Sequence, residues 1–315
     1  MWKFVLRRLG TTVTVLFGVS LITFLLMYLT PGDPAETILR QQMGGRTPSE
    51  EAIATFRAEQ GLDDPLPLQY IAWLQEVLTG DLGTSYYSDV AVTELIWQNL
   101  WPTMELAIAG IIVALIVAIP TGVLSAVHKG TSVDYGSQLA ALLGLSMPNF
   151  WLGYILMLVF AIHLSLVPVS GYGTFSQLLL PAITLGTGMA AIITRLLRSS
   201  MLEVLDAEYI RTARSKGLRE RIVVYKHTLR NALIPVVTIV GLQFGYLLNG
   251  AVVVEMVFQR PGIGMLLLDA IFDRDFPVIQ GLVLLIAIFF VASNFLVDVT
   301  YRYIDPRITF EGGEQ

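Results

Sequence analysis

Residues 135–194 read YGSQLAALLGLSMPNFWLGYILMLVFAIHLSLVPVSGYGTFSQLLLPAITLGTGMAAIIT, sixty positions with no Asp, Glu, Lys or Arg. His163 is the one side chain in the run that titrates near neutrality. A helix crosses the roughly 30 Å hydrocarbon core of a bilayer in about 20 apolar residues. The run is therefore long enough for two spans, joined through the turn Ser170-Gly171-Tyr172-Gly173-Thr174. Working outward from it, charge-free runs at 9–32, 106–127, 231–254 and 276–297 cover 22 to 24 residues each, one span apiece. The fold class expected is an all-α membrane protein with six transmembrane helices. The first lies within 1–30 and the others near 104–127, 135–167, 177–198, 232–255 and 277–300. The run after Arg8 exceeds the apolar stretch of a secretory signal, and Pro31-Gly32-Asp33-Pro34 is not a small-residue cleavage site, so the first span reads as retained.

Composition agrees. Of 315 residues, 54% are hydrophobic and 14% charged, where a soluble domain carries about 25% charged. Mean hydropathy is +0.66. Soluble enzyme, nucleic-acid binder and disordered chain are excluded as readings of the whole. The absence of cysteine removes disulfides, thiolate metal sites and cysteine nucleophiles. Lys and Arg set the orientation. With a cytoplasmic N-terminus, 15 of the 20 basic residues fall in inside segments, and only Arg40, Arg46, Arg57, Arg260 and Arg274 fall outside. Both termini, including the tail at 305–315, are expected in the cytoplasm.

Two segments between spans have structure of their own. The extracytoplasmic segment 31–100 holds 11 acidic residues against three arginines. Thr47-Pro48-Ser49-Glu50 reads as a capping box with proline at the first helical position, closed by Gly61. A second short helix, stopped by Gly80, places Ile71, Leu74 and Leu78 on one face. On the inner side, within a hairpin at 199–230, Asp206 to Gly217 reads as a short helix. It has acidic residues in its first turn, cations in its last, and Gly217 at the C′ position that wants positive φ. Leu218 onward begins a second helix reaching Asn231. A helix–glycine–helix protrusion of this kind suits a cytoplasmic partner. Pro120, Pro148, Pro181 and Pro235, with several glycines, fall within spans and suit close packing and bending.

Chemistry of its own is not apparent. There is no phosphate-binding G-x-x-x-x-G-K-[ST], no H-E-x-x-H and no G-x-S-x-G, and His128, His163 and His227 are scattered. Glu105, Glu255 and Asp298 lie at span ends, whereas an ion-coupled carrier generally needs acids inside the membrane. Such a chain draws its energy from another.

An ordered set of motifs identifies the family it resembles. These are Pro31-Gly32-Asp33-Pro34, Gly61-Leu62-Asp63, Gln69-Tyr70, Trp73-Leu74, Gly80-Asp81-Leu82-Gly83 with Ser85, and Met147-Pro148-Asn149-Phe150. After them come Tyr209 to Gly217, Leu229 to Pro235, Gly250 to Glu255, Pro261-Gly262-Ile263-Gly264 and Asp305-Pro306-Arg307. Over nearly its whole length the chain resembles the permease subunits of ATP-binding-cassette importers, in the dipeptide/oligopeptide branch that includes nickel permeases. The resemblance implies a type I importer permease in a prokaryotic inner (plasma) membrane. It also implies a homologous sister permease, two cytoplasmic ABC ATPase subunits that bind ATP and Mg, an extracytoplasmic substrate-binding protein, and surrounding membrane lipid. It implies no nucleic acid, catalytic residue, metal site or cofactor in this chain. The family's coupling motif, called EAA, falls on Glu208, Arg211, Thr212, Ala213, Lys216, Gly217 and Leu218. Here the triplet reads Arg211-Thr212-Ala213, and the later proline is displaced to Pro235. Peptide is the favoured cargo, since no His or Cys cluster argues for nickel. Nickel, another small solute, and an ion-coupled secondary carrier stand as alternatives. No substrate-contact residue is assigned from the sequence.

Overall fold

A computed structural model describes residues 2–29, 32–59 and 61–304, so the expected tail at 305–315 lies outside the described residues. Its helices are α1 (Trp2–Leu29), α2 (Pro34–Gln42), α3 (Glu50–Glu59), α4 (Leu66–Thr79), α5 (Val92–Val127), α6 (Ser132–Ser146), α7 (Asn149–Leu156), α8 (Phe175–Leu205), α9 (Glu208–Ser215), α10 (Glu220–Ile222), α11 (Leu229–Phe258), α12 (Ile263–Asp273) and α13 (Phe276–Ile304). Single π-helical segments, Met157–His163 and Val223–Thr228, extend α7 and join α10 to α11. Among the described residues, four helices are long and apolar enough to cross a membrane: Gly10–Leu29 of α1, α5, α8, and Phe276–Ser293 of α13. Two bent pairs, Ser132–Ser146 with Asn149–His163 (107°) and Gly250–Phe258 with Ile263–Asp273 (79°), bring the number to as many as six.

The first bend departs from the single straight span expected at 135–167. Its cause is Met147-Pro148. The proline ring pushes the residue before it out of the helical region, and Met147 is accordingly extended, at φ −82° and ψ 124°.

Contacts divide the chain into two units, one drawn from Met1–Trp101 and Met265–Ala292, the other from Pro102–Gly264 and Ser293–Gln315. In the first, α4 packs on α1 through aromatic rings. Tyr70 lies edge-on to Phe17 (6.1 Å) and Phe24 (5.5 Å), and Trp73 sits 5.7 Å from Phe24. The Tyr70 and Ser20 hydroxyls are 2.8 Å apart. The buried face of α4 is thus the Tyr70–Trp73 side, while Ile71 and Leu78, expected on one face, are exposed. The helix α3 begins at Glu50 with Ser49 accepting from the Ala52 N–H (3.2 Å), so Ser49 is the cap rather than Thr47. Arg57 pairs with Asp33, which also caps α2 through the Ala35 N–H (3.0 Å). The Gly80–Ala91 loop is pinned by Ser85. Its hydroxyl donates to the buried Asp275 just before α13, accepts from the Tyr87 and Ser88 N–H groups, and leaves the other Asp275 oxygen to the Tyr86 N–H. Burial, with the Asp275 carboxylate beside it, pushes the Tyr86 phenol up to about 12.

In the second unit α8 is the central element. Its Leu185, Ile193, Leu197 and Met201 are buried with Ala114 and Ala118 of α5 and Val236, Ala251 and Val254 of α11. Lipid tails are as apolar as leucine, so shape-matched packing and buried polar links hold such helices together. Asp134 is one such link. At 2% exposure it accepts from Arg198 Nε and Nη2 (both 2.7 Å), the Ser125 hydroxyl (2.6 Å) and the Gly130 N–H (2.9 Å), tying α6 to α8 and to the end of α5. A buried carboxylate needs that many donors to offset its lost hydration.

Candidate functional site

An eight-residue helix has no stability of its own in water, so α9 is held by its surroundings. Ile210 is fully buried and packs where Val223 and Val224 of the following π-helical segment are also buried. Arg214 grips Glu220 with both Nη2 (2.7 Å) and Nε (3.2 Å), clamping the end of α9 to α10. Asn231 at the head of α11 donates to the Tyr209 hydroxyl (3.2 Å). The helix closes on Gly217. Its φ is +77°, its N–H reaches the Arg214 carbonyl (2.9 Å), and the Leu218 N–H reaches back to the Ala213 carbonyl (3.4 Å). This paired pattern around a left-handed residue is the Schellman closure.

The seven residues marked in the sequence therefore share one helix and its closing turn. Glu208 lies in the first turn, Lys216 is the cap, and Glu208, Arg211, Thr212, Lys216, Gly217 and Leu218 are exposed, with Ala213 half-buried. The expected start is corrected. Asp206 terminates α8 rather than entering α9, and only Glu208 places a carboxylate at the N-terminal dipole. A Cβ on Gly217 would meet nothing within 4 Å. The Arg214 guanidinium holds the Glu220 carboxyl below its ordinary value. The result is a small solvent-facing helix of mixed charge, fixed at its base and at both ends, which is what a rigid lever needs.

A second constellation joins residues that the sequence showed only apart, Glu105 and Glu255 at span ends and Pro261-Gly262-Ile263-Gly264 among the family motifs. The Glu255 carboxylate, fully buried, accepts from the Thr103 hydroxyl (2.6 Å) and the Gly264 N–H (2.9 Å), and Thr103 Oγ1 in turn accepts from the Ile263 N–H (2.9 Å). A Cβ on Gly262 would approach Glu255 Oε1 to 2.1 Å, and one on Gly264 would approach Val252 Cα to 2.5 Å. That is why the turn after α11 reads Pro261-Gly262-Ile263-Gly264. Beside it Arg260, 1% exposed, donates to Glu105, and its guanidinium lies 4.6 Å over the Tyr172 ring. Among the described residues no group of three or more His, Cys, Asp or Glu is placed to hold a metal ion.

Comparison with known proteins places these elements. Residues 1–107 match the N-terminal component, and residues 118–310 the main component, of a family described as binding-protein-dependent transport system inner membrane component. The dipeptide transport system permease protein DppB of Escherichia coli K12 is 42% identical over 98% of this chain and 99% of its own. The glutathione transport system permease protein GsiC of Pectobacterium atrosepticum is 44% identical over 98% and 99%. In fold, the chain is similar to the inward-facing MetNI methionine ABC transporter, with a TM-score of 0.57 at 18% identity over 68% of this chain and 97% of that one. With matches that run from the first span to the last, the chain belongs to the binding-protein-dependent transport system inner membrane components, a multi-pass membrane subunit of ABC transport.

Proposed function

We propose that this chain is the permease that, with a homologous sister chain, forms the membrane path of an ATP-driven peptide importer. The carrying observation is α9: an exposed helix, too short to fold alone, clamped through Ile210, Arg214–Glu220 and Asn231–Tyr209 to the π-helical segment, α10 and α11 that follow it. A partner that displaces α9 moves α11 through these contacts and α8 through the two-residue link Asp206-Ala207. Two cytoplasmic ATPases, holding ATP and Mg, supply that displacement by closing around nucleotide. The bundle then opens toward a substrate-loaded binding protein and resets on hydrolysis. The split of Lys and Arg supports α9 and both termini on the cytoplasmic side. Peptide is the cargo this reading favours, because the relatives named above are dipeptide and glutathione permeases.

The test is reconstitution in proteoliposomes with the sister permease, both ATPases and the binding protein. Accumulation of a labelled dipeptide should require ATP and the binding protein together. Accumulation driven by an ion gradient without ATP, or of nickel in place of peptide, overturns the reading.

A further inference from the structure

We infer that α4 is a membrane-interface helix, with its Ile71–Leu78 face resting on lipid acyl chains in the leaflet at the Leu29 end of α1. The first ground is depth. Gly10–Leu29 is the apolar window of α1, and at 1.5 Å per residue its twenty residues cover about 30 Å, the thickness of the hydrocarbon core. Phe24 lies five residues inside Leu29, about 7–8 Å along the helix. Tyr70 and Trp73 of α4 touch that ring, and the Tyr70 hydroxyl reaches Ser20, deeper still. Interfacial amphipathic helices lie about 5–10 Å into the headgroup–acyl boundary. The Phe24 contacts set α4 at this depth, with the Tyr70 ring reaching further in to Ser20 and Phe17, nine and twelve residues inside Leu29.

The second ground is the disposition of side chains around α4. At 100° per residue, Tyr70, Trp73 and Val77 make the α1-facing side. Leu74, Ile71 and Leu78 come next, with Ile71 50% and Leu78 78% exposed. Gln75, Thr79, Ala72 and Glu76 follow on a third side, with Leu68 of the first turn among them, and Glu76 is the only charged residue in the helix. A helix with protein on one side, aliphatic carbon on the next and polar groups on the third is built for a boundary between oil and water. A water-exposed cap would leave two large aliphatic side chains uncovered without compensation.

The third ground is the backbone. Free N–H groups at a helix start are costly where water is scarce. Here Pro65 and Pro67 have none, and the N–H groups of Leu68 and Gln69 both reach the Pro65 carbonyl (2.8 and 3.3 Å). The Gln69 amide donates to the Leu62 and Asp64 carbonyls (3.0 and 2.7 Å) and its oxygen accepts from Tyr28. A second protein chain is a poorer occupant. Helix contacts within a bilayer are made on small residues that admit close approach, and Ile71, Leu74 and Leu78 offer none.

The experiment uses the native absence of cysteine. Single variants Ile71→Cys, Leu78→Cys and Glu76→Cys of the full chain, assembled with its partner subunits, carry nitroxide labels in nanodiscs of phosphatidylethanolamine and phosphatidylglycerol. Collision with oxygen, which partitions into lipid, should exceed collision with water-soluble nickel-EDDA several-fold at 71 and 78, and the order should reverse at 76. Nickel-EDDA dominating at 71 and 78 would place the face in water. Quenching of both collisions there would place it under another chain. Either result overturns the inference, and neither bears on the transport reading, since the inference needs only that α1 cross the bilayer.

Discussion

Gly217 shows how much a single residue can state in advance. A glycine following a short run that begins with an acid and ends with cations is a helix stop, and the Schellman closure with φ at +77° sits there. In isolation that position penalises any L-residue by about 1 kcal/mol, whatever its size, because the space around it is empty. Docked in a groove of an ATPase, it distinguishes sizes, since overpacking an interface costs roughly 1–3 kcal/mol. Gly217→Ala should therefore retain most substrate-stimulated ATP hydrolysis, and Gly217→Trp should lose most of it while the chain still inserts in the membrane. Equal activity of the two variants would show that the turn faces solvent throughout the cycle. Glu255 is the opposite case. Nothing near it in sequence announces Thr103, 152 residues away, or explains why Gly262 and Gly264 must lack side chains. Contacts of that range are fixed by packing, and a periodic pattern carries no record of them.

Among the elements, those read correctly had a strong local code and those misread had two codes in competition. The capping box at Thr174 and Gln177 begins α8, whereas the sequence reading ends a glycine-rich turn at Thr174 and starts the span only at 177. At Thr47–Glu50 both Thr47 and Ser49 suit a cap, and Ser49 takes it, one residue before the helix. The apolar stripe of α4 was visible, but a stripe records only that a face avoids water, and the choice between α1 and lipid depends on where the rings of Phe17 and Phe24 stand. For α9 the element-scale prediction concerns its clamp. Arg214 and Glu220 are both substantially exposed, and such pairs contribute only about 0.2–1 kcal/mol, so the role expected is aim rather than stability. Glu220→Arg and Arg214→Glu should each reduce coupled ATP hydrolysis, and the double exchange should restore much of it. Because the paired Glu220 titrates lower folded than unfolded, its contribution is complete above the unfolded value and fades only as pH falls through the folded one. Coupling should accordingly show no dependence on this pair between pH 6 and 8. A double variant no better than either single would show that the clamp does not set the aim.

At the scale of the molecule, hydrophobic runs and basic residues encode different things. The runs state how many times the chain can cross, which is why up to six spans were legible, while their straightness was not. Two of the six are bent pairs: Met147-Pro148 gives local notice of one bend, and Pro261-Gly262 lies in the break of the other, a pair that runs past the end of the span expected at 232–255. The basic residues state direction, through the cost of moving Lys and Arg across the membrane, and fifteen of twenty argue for α9 on the cytoplasmic side. The cysteine-free chain allows a direct check at two exposed positions. Ser215→Cys, at the end of α9, should resist a membrane-impermeant maleimide in intact cells and react in inverted vesicles. Thr47→Cys, in the long segment after α1, should behave the other way round. Reaction of position 215 from outside would reverse the whole topology, and with it the assignment of α9 to the ATPases, because those subunits meet ATP only in the cytoplasm.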